Sequence, residues 1–139
     1  MTLSTKIQRI LFVLYGKIVY ILAKYQRKQK QMNESDFIIY SDQLFEHLMA
    51  QIDLLAPNLD CLLEGNVLTI ENDDAEQIVI NRHLERQELW IAAKMGGYHF
   101  VRQGEQWLST KTQQSFFEIL NQVLGDLVGH ACQVEPFFQ

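Results

Sequence analysis

The chain has 139 residues, 47% of them hydrophobic, with a formal net charge of -5, enough for one domain with one core and too little for two. Residues 1–31 hold seven basic side chains and no acid, so residues 32–139 keep five basic against all 17 acidic residues, a net of -12. A domain that acidic repels nucleic acid and attracts cations and basic protein surfaces, which excludes nucleic acid as its partner.

In chain order, residues 10–22 read ILFVLYGKIVYIL, apolar apart from Gly16 and Lys17 and flanked by Lys6, Arg9 and a basic run over 24–30. A spanning helix needs roughly 20 apolar residues without an internal lysine, so this run falls short. No small-x-small cleavage site follows it, which argues against a cleaved secretory signal. A basic amphipathic helix on an anionic membrane surface fits the pattern, as does a disordered or targeting segment. Residues 1–31 are therefore set apart as an extension and 32–139 as the domain.

Asn33 is placed to cap a helix, with Asp36 three residues on. Phe37, Tyr40, Leu44, Leu48, Ile52 and Leu55 then recur every three or four residues, and Pro57 ends the pattern. Short apolar runs follow, predicting strands over 59–63, 67–70, 77–80, 89–92, 98–101 and 106–108, with Gly96-Gly97 as a tight turn. Connections this short suit an antiparallel meander, because parallel strands need long crossovers. Phe116, Ile119, Leu120, Val123 and Leu127 restore helical period, with Thr112 or Ser115 as the cap. The pattern predicts an α+β two-layer sandwich, both helices on one face of a sheet of about six strands and the other face solvated.

Cys61 and Cys132 form no CxxC or zinc spacing; Cys61, inside the apolar run 59–63, reads as a buried thiol, and two unpaired cysteines are consistent with a reducing cytoplasm. There is no nucleophile elbow, phosphate loop, dinucleotide fingerprint or H-E-x-x-H, so no enzyme activity is expected. His47, His83, His99 and His130 are scattered without helical pairing, and His99 reads as a surface strand residue. The carboxylates are the better candidates. Asp42, Glu46 and Asp53 fall within about 40° on the first helix, Asp60 opens the next strand, and Glu34 and Asp36 sit in the helix's first turn. Exposed oxygen ligands suit weak, water-rich binding of iron; a merely solvated helix face is the plain alternative. Glu71, Asp73, Asp74 and Glu76 read as a solvated hairpin tip.

Asn81-Arg82, a Trp nine residues after that Asn, then Lys94-x-Gly-Gly-Tyr98-His99-Phe100 and Trp107, form an ordered set. Together they resemble bacterial frataxin, the CyaY family, from about residue 32 to 124. Met32-Asn-Glu-Ser-Asp-Phe is similar to the way such proteins begin, which adds a third reading of 1–31, a translated upstream region. The resemblance implies an iron-binding regulator of iron–sulfur cluster assembly, a monomer that oligomerises with iron. Its acidic ridge would bind iron weakly and meet a basic surface of a cysteine desulfurase.

On this chain that ridge maps to Asp42, Glu46, Asp53 and Asp60, thinned where Met49, Ala50, Leu54 and Leu55 stand. The resemblance further implies that Trp90 is exposed on the sheet beside Asn81 and contacts partners, the scaffold protein among them. His83 and Glu88 stand where the family has glutamines. Asn72 replaces an apolar strand end, so its hairpin is expected to be frayed or remodelled. Trp107 is expected inside. Phe137 and Phe138 are expected to pack between the helices. An acidic protein-binding module without an iron role is the alternative function.

Overall fold

The computed structural model describes residues 4–28 and 32–137. The chain divides into two compact units, Met1–Lys30 and Gln31–Gln139. The first contains one helix, α1 (Thr5–Lys28), with exposed apolar side chains from Ile7 to Leu22. No described helix is long and apolar enough to cross a membrane.

The second unit begins with α2 (Glu34–Leu55). Asn33 caps it, its side-chain oxygen accepting the Asp36 N–H at 2.8 Å. The three-to-four spacing puts Phe37, Tyr40, Leu44, Leu48 and Ile52 on one buried face. The Ala56 N–H donates to the Ile52 carbonyl, and Pro57, which has no N–H to continue the ladder, stops the helix there.

Six strands follow: β1 (Asp60–Glu64), β2 (Val67–Glu71), β3 (Gln77–His83), β4 (Glu88–Ala93), β5 (Gly96–Gln103) and β6 (Gln106–Ser109). They form one antiparallel sheet in sequential order. Period-two alternation turns Leu68, Ile70, Ile78, Ile80, Leu89, Ile91 and Phe100 into the core. α3 (Phe116–Val128) closes the fold. Ser115 and Glu118 form a full capping box at its start, which resolves the choice of cap, and Gly129 ends it in the left-handed region at φ 79°. Residues from α2, the sheet and α3 share one hydrophobic core. The predicted α+β sandwich is the observed fold.

Trp107 packs inside, its ring 5.7 Å from both Phe37 and Tyr40. Burial pushes the Tyr40 phenol up to about 12, against the opposing effects of a hydrogen bond with Trp107 and the charge of Arg102. The tail crosses between the helices. Asn121 of α3 clasps the Val134 backbone in both directions, and His47 of α2 bonds the Glu135 carbonyl at 2.7 Å. Phe137 lies 5.6 Å from Tyr40 and 5.5 Å from His47. Phe138 lies outside the described residues.

Two local expectations change. Gly96-Gly97 is not the turn: Ala93 pairs with Gly96, so Lys94-Met95 make the reversal and the glycines open β5. Gly96 is needed there because its φ of 145° suits few L side chains. The Asn72 hairpin is remodelled without fraying. The Asn72 side-chain oxygen accepts the N–H groups of Asp74 and Glu76, both at 3.0 Å, and its amide donates to the Leu127 carbonyl of α3 at 3.3 Å.

Candidate functional site

The acidic edge is built by α2 and β1. Glu34, Asp36, Asp42, Glu46, Asp53 and Asp60 are all exposed. Glu34 and Asp36 stand in the first turn of α2, where the helix dipole favours negative charge. Asp42, Glu46 and Asp53 share a side of the helix, yet the first and last are about 16 Å apart along its axis. They line an edge and do not converge.

Asp42 has a partner that its spacing did not reveal. Arg82 follows Ile78 and Ile80 on the core-facing side of β3, and its side chain is only 12% exposed. Its guanidinium donates to Asp42 Oδ1, to Ser41 Oγ at 3.0 Å and to Asn66 Oδ1 at 3.0 Å, and lies 5.6 Å over the Phe45 ring. One Asp42 oxygen therefore neutralises a half-sequestered cation, so Asp42 is less free to take a metal or a partner's lysine than its neighbours.

Asp53 and Asp60 do come together electrostatically. α2 ends, the Pro57 turn reverses the chain and β1 begins, so both acids act on Cys61. Burial raises the Cys61 thiol above its usual range, and the charges of Asp53 and then Asp60 raise it further. A thiol kept protonated is a poor ligand, which leaves oxygen donors. Among the described residues, no group of three or more His, Cys, Asp or Glu is arranged to hold a metal. Such a donor set fits a hard cation held loosely in its own water, not a closed cage. Exposed leucines stand beside these acids in sequence, Leu54 at 76% and Leu62 at 56% exposure.

The outer sheet face is the other surface. Register pairs Asn81 with Trp90 and Trp90 with His99, and puts His83 opposite Glu88. Trp90 is half-buried there and sits between two imidazoles, with the His99 ring parallel at 4.1 Å and the His83 ring at 4.9 Å. Its indole N–H donates to Glu88 Oε2 at 2.7 Å, which fixes the ring in place. His83, His99 and Glu88 thus build the mount of Trp90. This arrangement was not foreseen; the alternation His83–Asn81 on β3 and Glu88–Trp90 on β4 was the available signal. At the second acidic cluster, Lys94 pairs with Glu76 at 3.4 Å and Gln77 donates to Glu71, as suits a hairpin tip.

A sequence profile described as a frataxin-like domain matches residues 30–130. The chain belongs to the frataxin family. A frataxin relative from Neisseria meningitidis (serogroup C, serotype 2a), called iron-sulfur cluster assembly protein CyaY, is 50% identical over 75% of this chain and 97% of its own. A protein of the same name from Chromobacterium violaceum is 42% identical over 67% of this chain and 89% of its own. Frataxin from Psychromonas ingrahamii superposes with a TM-score of 0.67 over 76% of this chain and all of that one, at 24% identity, which shows the shared fold. A trimeric yeast frataxin, complexed with ferrous iron, matches 72% of this chain and 89% of its own with a TM-score of 0.54 at 23% identity.

Proposed function

We propose that this frataxin acts in iron–sulfur cluster assembly as a regulator without bond-making chemistry of its own, docking through its acidic edge on a basic surface of a cysteine desulfurase. The observation that carries this reading is the row of exposed carboxylates, Glu46 and Asp53 along α2 and Asp60 at the start of β1, in a domain of net charge -12. Glu46, Asp53 and Asp60 supply the field that steers a basic partner, and Leu54 beside them supplies an apolar anchor. The same carboxylates, with Glu34 and Asp36 at the helix start, hold ferrous or ferric iron loosely; Asp42 serves mainly Arg82. Asn81 and the mounted Trp90 face the scaffold protein. The iron-sulfur assembly role named for the 50% identical relative supports the pathway.

A second reading, a docking module without an iron role, draws support from the lack of a convergent donor cluster among the described residues. Both are tested with the full chain on a bacterial cysteine desulfurase by interferometry over a salt series. The comparison is Glu46→Gln/Asp53→Asn/Asp60→Asn, which leaves the Asp42–Arg82 pair intact. Salt-sensitive binding lost at least tenfold in the variant is the expected result, and binding indifferent to the three changes would sink the docking proposal. Isothermal titration with ferrous iron then separates the readings: heat lost in the same variant supports iron holding, and no heat in the parent chain favours the module alone.

A further inference from the structure

α1 lies outside the family match, which begins at residue 30, and outside the reading proposed above. At about 100° per residue, α1 carries an apolar strip and a basic strip, with Ile10, Tyr15, Val19 and Phe12 widening the exposed apolar surface on either side of the first. Ile7, Leu11, Leu14, Ile18, Ile21 and Leu22 fall within about 100° of arc, and all six are exposed. Lys6, Arg9, Lys17 and Lys24 fall within about 80° of arc, turned about 120° from the centre of the apolar strip. No acidic residue occurs in residues 1–31. Val13 and Tyr20 interrupt the basic strip, and Lys24 Nζ stands 5.4 Å over the Tyr20 ring.

A helix of 24 residues that exposes a continuous apolar strip to water is missing what covers it. The charges say what that is. A row of cations with no anion beside it calls for a surface at once apolar and negative, which a bilayer with anionic headgroups offers along the whole helix. Aromatic rings such as Tyr15 and Tyr20 suit the headgroup level. Lys17, in the middle of the run, keeps the helix in the plane of the interface, and no described helix is able to cross.

We propose that α1 is an interfacial anchor that seats this chain on an anionic lipid surface. Binding by the acidic domain itself is opposed by its charge, so the helix alone makes the contact. Each basic residue contributes about fivefold to partition on such a surface. The test is sedimentation of the full chain with phosphatidylcholine vesicles, with and without phosphatidylglycerol. The chain is expected to pellet with the anionic vesicles, to be released by high salt, and to stay in solution with phosphatidylcholine alone.

Lys6→Gln/Arg9→Gln/Lys17→Gln/Lys24→Gln should weaken anionic binding about a hundredfold or more. Leu14→Glu/Ile18→Glu should abolish it by spoiling the apolar strip. Circular dichroism and urea unfolding of each variant show whether the domain is intact. No binding to anionic vesicles overturns the proposal, as does equal binding to neutral ones or binding indifferent to the four charge changes. Salt-sensitive retention by DNA or RNA without vesicle binding overturns it as well.

Discussion

Arg82 is a cation on the core-facing side of a strand, and its surroundings decide what Asp42 does. With its side chain 12% exposed, it holds hydrogen bonds to Ser41 and Asn66 whether or not Asp42 is ionised, but only Asp42 supplies the balancing charge in its hydrogen-bond set. Asp42→Asn is therefore expected to lower stability by about 1–3 kcal/mol, whereas Glu46→Gln stays within about 0.5 kcal/mol. Urea unfolding checks this, and equal losses would mean that Asp42 is as free as Glu46. Cys61 reports on the other end of the edge. The thiolate is the species that iodoacetamide attacks, and burial, Asp53 and Asp60 all delay its appearance to higher pH. The rate-versus-pH midpoint at Cys61 should thus move down in Asp53→Asn/Asp60→Asn, and down again in the parent chain when a cation occupies the pair. Peptide mapping assigns the label, since Cys132 is buried and its thiol is also raised by burial. A midpoint unmoved by the double change would separate the two carboxylates from Cys61.

The β2–β3 hairpin shows what one residue does for an element. Asn72 accepts two turn N–H groups, and its amide donates to the Glu76 carboxylate and ties the turn to the end of α3, four bonds from one side chain. Asn72→Ala should cost about 1–3 kcal/mol, and hydrogen exchange should quicken first at Asp74 and Glu76, whose amides lose their acceptor. Exchange unchanged at those two amides would show that strand pairing alone holds the turn. Elements of this kind explain what was legible in the sequence. The caps at Asn33 and Ser115, the helix stop at Pro57 and all six strands depend on neighbours a few residues away, and each was read from spacing. Arg82–Asp42 joins positions 40 apart in the chain, and the His83–Trp90–His99 stack depends on two strand registers at once. Arg82 did leave a trace, as a charge two residues beyond Ile80 in an alternating strand. The Gly96-Gly97 turn was misplaced because glycine marks unusual φ wherever it occurs, and here the unusual φ begins a strand.

At the scale of the molecule, the two units carry opposite charge, seven basic residues without an acid in 1–31 and a net of -12 in 32–139. Like charges on one small domain repel, and folding brings them closer, so an acidic edge maintained for docking works against stability. Screening at about 0.1 M salt confines each charge to about 10 Å, which relieves the repulsion between distant acids. The urea midpoint of the domain should therefore rise as salt is added from a low starting value. Glu46→Gln/Asp53→Asn/Asp60→Asn should start from a higher midpoint, rise less, and still dock worse on the desulfurase. That combination, greater stability with weaker binding, is the signature of charges kept for a partner. A variant less stable than its parent at low salt would instead make the three acids part of what holds the fold together, and the docking reading would then rest on the sheet face around Trp90 alone.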